Sequence, residues 1–208
     1  RRLFEYRFKV GRRIAGHTVG NLLLTALSDI MGDFERGIEE LSEMFNVSGK
    51  VIPVTLDNVQ LGVTLENGEQ IIGETHIDVP KHDGRIAIRD AVLRGGGRLN
   101  PRAKEAIENS DYVIIGPGDL YTSIIPNLLC TGMHDAIRAT QAKVIYVCNV
   151  MTKLGETDGF CVVDFLRVVE QHIGEGRIDY VLVNNGELRD DLLDKYEAEG
   201  KRPVRRVS

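Results

Sequence analysis

Residues 112–123, with the sequence YVIIGPGDLYTS, are the stretch that decides the fold of this chain. The first four are apolar β-formers, typical of a strand buried on both faces of a parallel sheet. A Gly-Pro-Gly break follows, and in an open α/β sheet such strand-end loops bind ligands, although similar breaks also occur in plain connections. The loop offers two glycines, a proline and three hydroxyl side chains as candidate binding residues: Gly116, Pro117, Gly118, Tyr121, Thr122 and Ser123.

Two further apolar runs, 143–150 and 179–185, are each preceded by a helical pattern. Three β-loop-α units in succession predict an α/β fold with a Rossmann-like, doubly wound, mainly parallel sheet. The carboxyl ends of its strands then face one crevice, where amides and hydroxyls suit a nucleotide or a sugar. No nucleophile, histidine and acid form a catalytic set, so we predict no catalytic residue. The polar side chains after the second and third strands join the candidate site: Asn149, Thr152, Glu156, Thr157, Asn184 and Asn185.

The sequence pattern of about residues 50–93 predicts a β-hairpin subregion, an excursion from that sheet. Residues 51–55 favour an edge strand or a strand start because they contain Pro53. Apolar residues alternate over 59–65, and Asn67-Gly68 follows as a strong hairpin signal. We expect residues 73–77 to complete the hairpin region and 87–93 to form another strand. His76 and His82 lack the spacing of metal ligands and are interpreted as surface loop residues.

The segment from Gly16 leads into a leucine-rich run with helical spacing, which predicts a central helix that is apolar on nearly all sides. Thr18 is placed to cap this helix. His17 and Asn21 lie at its N-terminal end, where anions are favoured, and become candidate ligand contacts. The alternative is a capped core helix whose polar residues are satisfied locally.

The net charge, the lengths of the apolar runs and the placement of the cysteines exclude some classes of function. The net charge of −5 argues against a general nucleic-acid binder, which normally carries a basic face. No apolar run approaches the 18 or so residues of a membrane span, so no membrane partner is expected. The three cysteines are widely spaced in apolar surroundings, as expected of reduced thiols in a cytoplasmic protein.

Seven segments together resemble a known family. They occur in this order: GHTVGNLLL (16–24), GKVIPVT (49–55), GETHI (73–77), GPGDLYTSIIPNLL (116–129), CNVMT (148–152), GETD (155–158) and KYEAEGKRPV (195–204). The set is similar to the bacterial YvcK-like proteins, called gluconeogenesis factors, within the wider family of the 2-phospho-L-lactate transferase CofD. The patterns Pro-Gly-x-Leu-Tyr-Thr-Ser and Met-Thr-x-x-Gly-Glu-Thr carry most of the likeness to the bacterial branch.

The resemblance implies a cytoplasmic regulatory protein that binds UDP-sugars such as UDP-N-acetylglucosamine. It also implies a need for the protein in cell shape and in growth on gluconeogenic carbon sources. By its position in the last segment, Tyr196 resembles a tyrosine that contacts the nucleotide sugar; from pattern alone it is a helix residue packing on its own surface. No resident cofactor is implied for this branch.

The transferase branch of the family is the alternative. Its members move a phospholactyl group from a guanosine diphosphate donor to a deazaflavin alcohol, using a divalent metal such as Mg²⁺. Glu156, Asp158 and Asp119 are the site carboxylates that could serve such an ion, although loops use carboxylates more often as caps and acceptors.

The resemblance also implies missing parts. The family opens with a strand and a Gly-Gly-Gly-Thr-Gly loop that are absent here, and a further ligand-contacting arginine belongs beyond Ser208. We therefore expect residues 1–208 to be a single domain of this family that is incomplete at both ends. An open sheet edge left by the missing strand predicts self-association, with a homo-oligomer as the result.

Overall fold

The computed structural model describes residues 2–11, 14–80, 83–186 and 189–206. The chain divides into two units, Arg1–Leu56 and Asp57–Ser208. His82 lies outside the described residues. None of the described helices is both long and apolar enough to cross a membrane.

The first unit contains two helices, α1 (Val19–Met31) and α2 (Phe34–Met44). The Thr18 hydroxyl accepts a hydrogen bond from the Asn21 backbone N–H at 3.1 Å, which confirms the predicted cap. The prediction that α1 is a central helix is wrong: only Gly20 is buried along it, and Ile30 is 76% exposed. A unit of this size has too little chain to cover a helix on all sides.

The second unit begins with a small antiparallel sheet of β1 (Gln60–Leu65), β2 (Gln70–Ile72) and β3 (Ile88–Arg94), in the order β2-β1-β3. Gly68 has a φ of 86°, and the Asn67 side chain accepts a hydrogen bond from the Glu69 backbone N–H at 2.9 Å. A glycine adopts this left-handed conformation without strain, so the Asn-Gly signal is confirmed as the hairpin turn.

Two predictions around this hairpin are wrong. Residues 51–55 form no strand, and Pro53 has no backbone N–H to donate to a strand ladder. The chain leaves β2 at Gly73 and turns into the short helix α3 (Glu74–Asp78) rather than extending the hairpin. This turn brings Asp78 to the end of α3.

The parallel sheet contains β4 (Tyr112–Ile115), β5 (Lys143–Val147) and β6 (Tyr180–Leu182), in that order across the sheet. Both strand pairs are parallel, which confirms the α/β fold class with a hairpin excursion. The accompanying helices are α4 (Pro101–Glu108), α5 (Ile125–Leu128), α6 (Met133–Ala139), α7 (Val162–Ile173) and α8 (Asp190–Ala198). A single π-helical turn, Leu120–Ile124, separates β4 from α5.

The core lies on one face of the parallel sheet, where Val144 and Tyr146 of β5 are fully buried together with Phe165 and Val169 of α7. The opposite face is open. Large side chains on it are more than half exposed: Tyr112, Ile114, Tyr180 and Leu182. The prediction that strand 112–115 is buried on both faces is therefore wrong.

Candidate functional site

The loop after β4 follows a glycine that no other residue could replace without strain. Gly116 has a φ of 84°, and a Cβ on it would lie 3.0 Å from the Val147 carbonyl oxygen at the end of β5. The Gly116–Pro117 peptide bond is cis. The Gly118 carbonyl accepts a hydrogen bond from Asn149 Nδ2 at 2.9 Å. Gly116, Gly118 and Asn149 therefore bring the ends of β4 and β5 together, as their positions in the sequence predict.

The loop after β5 is held by its own side chains. Thr157 accepts a hydrogen bond through Oγ1 from the Lys153 backbone N–H at 3.0 Å, and its own N–H donates to the Lys153 carbonyl at 2.8 Å. Gly155 has a φ of 88°, with Pro80 Cγ only 2.6 Å from where a Cβ would be. The predicted binding residue Thr157 is thus buried and fixes the turn.

Glu156 joins the second loop to the first. Its buried carboxylate accepts hydrogen bonds from the Tyr121 backbone N–H at 3.1 Å and from Thr122 Oγ1 at 3.2 Å. Burial raises the pKa of Glu156, and the hydrogen bond from Lys153 opposes that rise without reversing it. Burial also raises the pKa of Tyr121 to about 12. Tyr121 and Thr122 are themselves buried, and their hydrogen bonds to Glu156 support the loop from within.

The ammonium group of Lys153 lies among three carboxylates. Its Nζ is 2.7 Å from Asp119 Oδ2 and 2.7 Å from Glu156 Oε1, and it also contacts Asp78 Oδ1. Burial lowers the pKa of Lys153, but the hydrogen bonds to Asp119, Asp78 and Glu156 outweigh burial and raise it overall. We call Lys153 with these three acids the Lys153 cage.

The sequence predicts two of the four residues of the Lys153 cage as site residues. Asp119 and Glu156 are among the candidate carboxylates, whereas Asp158 is exposed and does not join them. Asp78 and Lys153 are missed. Lys153 is the basic residue of its loop and could have been noticed, but Asp78 lies 75 residues away in sequence and is brought in by the turn into α3.

The three acids of the Lys153 cage are also candidate ligands of a metal ion. One oxygen from each of Asp78, Asp119 and Glu156 lies within 4.8 Å of the others, a spacing that could hold a divalent ion. The Lys153 ammonium lies among these same oxygens and supplies the positive charge. The acids are the residues that would hold a metal, and they would do so only if Lys153 moved.

A cavity of about 710 Å³ opens beside the cage. This volume falls within the range of small-molecule sites. Both strand-end loops, the end of α3 and the segment after α8 contribute to its walls: Asp78, Val79, Pro80, Pro117, Asp119, Asn149, Val150, Met151, Thr152, Lys153, Leu154, Tyr196, Glu199 and Lys201.

The segment 201–206 lies along the loop after β5, and we call it the C-terminal strap. Thr152 donates its backbone N–H to the Arg202 carbonyl at 2.7 Å and accepts through Oγ1 from the Arg202 N–H at 3.1 Å. Val204 N–H donates to the Val150 carbonyl at 2.9 Å. Thr152 is buried by these contacts, which hold the end of α8 beside the cavity.

Tyr196 of α8 therefore lies on the cavity wall, and the ligand contact that the family resemblance implies for it stays a prediction. The Lys201 ammonium is 5.8 Å from the centre of its ring, within the range of a cation–π contact. From pattern alone, Tyr196 is interpreted as a helix residue that packs on its own surface, and its place beside the cavity does not follow from the local sequence. The contacts of the C-terminal strap with the loop after β5 place the end of α8 beside the cavity.

The remaining candidates lie elsewhere. Ser123 is exposed and borders a separate groove with Ile114 and Asn127. Asn184 exchanges hydrogen bonds with Gly186 in a local turn, and Asn185 is exposed. His17 and Asn21 belong to the first unit, where Asn21 takes part in the Thr18 cap, so their role in binding stays a prediction.

Comparison with known proteins identifies the family. The family model described as "2-phospho-L-lactate transferase CofD" matches residues 1–206. The chain is 44% identical over 203 residues to a putative gluconeogenesis factor of Nostoc sp., and 40% identical over 204 residues to the gluconeogenesis factor of Bacillus subtilis. This chain belongs to the CofD family.

A solved structure agrees with this assignment. The crystal structure of a UPF0052 family protein from Bacillus halodurans superposes with a TM-score of 0.90 at 40% identity, covering 98% of this chain and 65% of that one. The relatives are longer than this chain. Its matched part covers 44% of the Nostoc protein and 63% of the Bacillus subtilis protein, although 97% of this chain is matched in each case.

Proposed function

We propose that this chain is the nucleotide-sugar-binding part of a gluconeogenesis factor, a cytoplasmic regulatory protein that serves cell shape and growth on gluconeogenic carbon sources. Its ligand is a UDP-sugar such as UDP-N-acetylglucosamine. The observation that carries this proposal is the cavity where both strand-end loops meet Tyr196. Relatives named gluconeogenesis factor, at about 40% identity over nearly the whole chain, supply the biological context.

The cavity wall has the groups that a nucleotide sugar needs. The Tyr196 ring offers a face for stacking, and Lys201 offers an ammonium for a phosphate. Asn149 and the carboxylates of Asp78 and Asp119 offer acceptors for hydroxyl or amide groups. Together with its volume, this mixture favours a ligand with both an aromatic and a polyhydroxyl part.

Isothermal titration of UDP-N-acetylglucosamine into the chain, with and without Mg²⁺, tests the proposal. Saturable binding is expected, and Tyr196→Ala should weaken it about tenfold through loss of the stacking face. Tyr112→Ala, which removes an exposed tyrosine from the open sheet face, is the matched control and should leave the affinity unchanged. Absence of any heat of binding up to about 1 mM ligand would refute the proposal.

The family model's own description favours one alternative, transfer of a phospholactyl group to a deazaflavin acceptor. That activity would need a divalent metal, and the three acids of the Lys153 cage are paired with Lys153 instead. Release of GMP from a lactyl-diphosphoguanosine donor on addition of the acceptor would establish the transferase.

A further inference from the structure

The charges on the cavity wall are not arranged for a diphosphate beside the Lys153 cage. Asp78 and Asp119 meet the cavity there with side chains that are 45% and 42% exposed. A phosphate placed against two carboxylates would be repelled by both. This end of the cavity therefore disfavours the anionic part of a nucleotide sugar.

The Lys153 ammonium is not available to offset the repulsion between these acids and a ligand phosphate. An ammonium has three N–H donors, and the three carboxylates of the cage accept from it. Its side chain is only 18% exposed. Lys153 could contact a phosphate only by giving up one of these charge-assisted hydrogen bonds.

The same wall is rich in acceptors. Asp78 uses Oδ1 and Asp119 uses Oδ2 toward Lys153, which leaves the second oxygen of each carboxylate for other donors. Asn149 adds an amide acceptor: its Nδ2 donates to the Gly118 carbonyl, while its buried Oδ1 has no hydrogen-bond partner among the described residues. Hydroxyl and amide N–H groups are the ligand groups that such a wall stabilises.

We propose that Asp78 and Asp119 are specificity-determining residues that accept hydrogen bonds from the sugar of the ligand, with the diphosphate directed away from the cage toward Lys201. Lys201 lines the same cavity and gives Glu199 one contact at 2.9 Å, so it retains donors for a phosphate. This inference rests on the proposed function, since it assigns the two ends of the proposed ligand to two parts of one cavity.

Titration of UDP and of UDP-N-acetylglucosamine into the wild-type chain, Asp78→Asn and Asp119→Asn tests the inference. The ratio of the two affinities measures what the sugar contributes. Each Asn variant should reduce that ratio about tenfold, while UDP itself binds equally well or better because a repelling charge is gone. Persistence of UDP binding also shows that the variant is folded.

Glu199→Gln is the matched control, because it removes a carboxylate from the same cavity outside the cage. It frees Lys201 and should tighten both ligands equally, leaving the ratio unchanged. An unchanged ratio in both Asn variants, or a loss of UDP affinity in them, would overturn the inference. Equal binding of UDP and the UDP-sugar by the wild type would overturn it while leaving nucleotide binding intact, whereas binding of neither would refute the proposed function as well.

Discussion

Lys153 links the loop after β4 to the loop after β5 through its contacts with Asp119 and Glu156. Replacing it with methionine would leave the carboxylates of Asp78, Asp119 and Glu156 close together without a cation. Unpairing a buried acid is strongly destabilising, but two of these acids are partly exposed, so we expect Lys153→Met to lower the free energy of unfolding by about 2 kcal/mol at neutral pH. Urea denaturation measures this change. Lys104→Met, which breaks an exposed pair with Glu108 in α4, should cost less than about 0.5 kcal/mol.

The effect of Lys153→Met should depend on pH in a defined direction. The pKa of Lys153 is raised above its ordinary value of 10.5, so its stabilising contribution is fully present below that value and is lost only as the pH rises through the raised pKa. In the variant, the repulsion weakens as the Glu156 carboxylate, whose pKa burial raises, takes up a proton. The stability difference between wild type and variant should therefore shrink toward about pH 4, and an equal difference at pH 7 and pH 4 would contradict the cage.

Gly116 gives a second test at the level of one residue. Gly116→Ala adds a Cβ in a left-handed conformation and places it 3.0 Å from the Val147 carbonyl, so a loss of about 3 kcal/mol in unfolding free energy is expected. Gly159→Ala shares the left-handed conformation, with φ of 75°, but meets no atom within 4 Å and should cost about 1 kcal/mol. Equal losses in thermal or urea unfolding would mean that crowding at Gly116 is relieved without cost.

Residue types in the loops can be predicted from sequence, but their partners cannot. Gly116 and Gly118 are identifiable because a strand-to-helix break with glycines has a local signature. The Asp78–Lys153 contact has none, since two residues far apart in sequence meet only through the turn after β2. The same limit applies to Thr157, because its sequence position does not show that its hydroxyl accepts a hydrogen bond from the Lys153 N–H.

Among the elements, the C-terminal strap has the clearest functional consequence, because it holds Tyr196 and Lys201 at the cavity. Thr152→Val removes the acceptor of the Arg202 N–H while keeping the shape of the side chain. We expect the Arg202 amide to exchange with solvent about tenfold faster, by the roughly 1 kcal/mol that such a hydrogen bond contributes, and UDP-sugar binding to weaken.

Hydrogen exchange followed by mass spectrometry measures the strap directly. Thr25→Val is the control, since its hydroxyl bonds to the Asn21 carbonyl within α1 and should not affect exchange at residues 202–204. Unchanged exchange at Arg202 in Thr152→Val would show that the strap is held without the threonine hydroxyl.

Elements with local chemical signals are predicted correctly. The Asn67-Gly68 turn and the cap at Thr18 depend on residues a few positions apart. The expected strand at 51–55 and the expected extension at 73–77 depend on pairing partners that a local pattern cannot supply. The prediction that strand 112–115 is buried on both faces is wrong for the same reason. Burial of a strand depends on which elements pack against the sheet, and a local pattern does not show this.

At the scale of the whole molecule, α/β class and parallel strand order follow from the succession of three β-loop-α units. The distribution of burial between the units does not follow, since the leucine-rich α1 has the composition of a core helix. In the structure, the buried apolar side chains among the described residues all belong to the second unit, whereas the first unit buries only Gly20 and Gly37.

This distribution predicts unequal stability within one chain. Hydrophobic burial is the main stabilising term, so the first unit should open far more readily than the second. Backbone amides of α1 and α2 should exchange at least about a hundredfold faster than those of β5 and α7, which contain fully buried residues such as Val144 and Phe165. Hydrogen exchange on the intact chain measures both sets together, so each is the control for the other. Uniform protection across residues 19–44 and 143–173 would show that the two units unfold as one cooperative body, and it would support the single domain predicted from sequence.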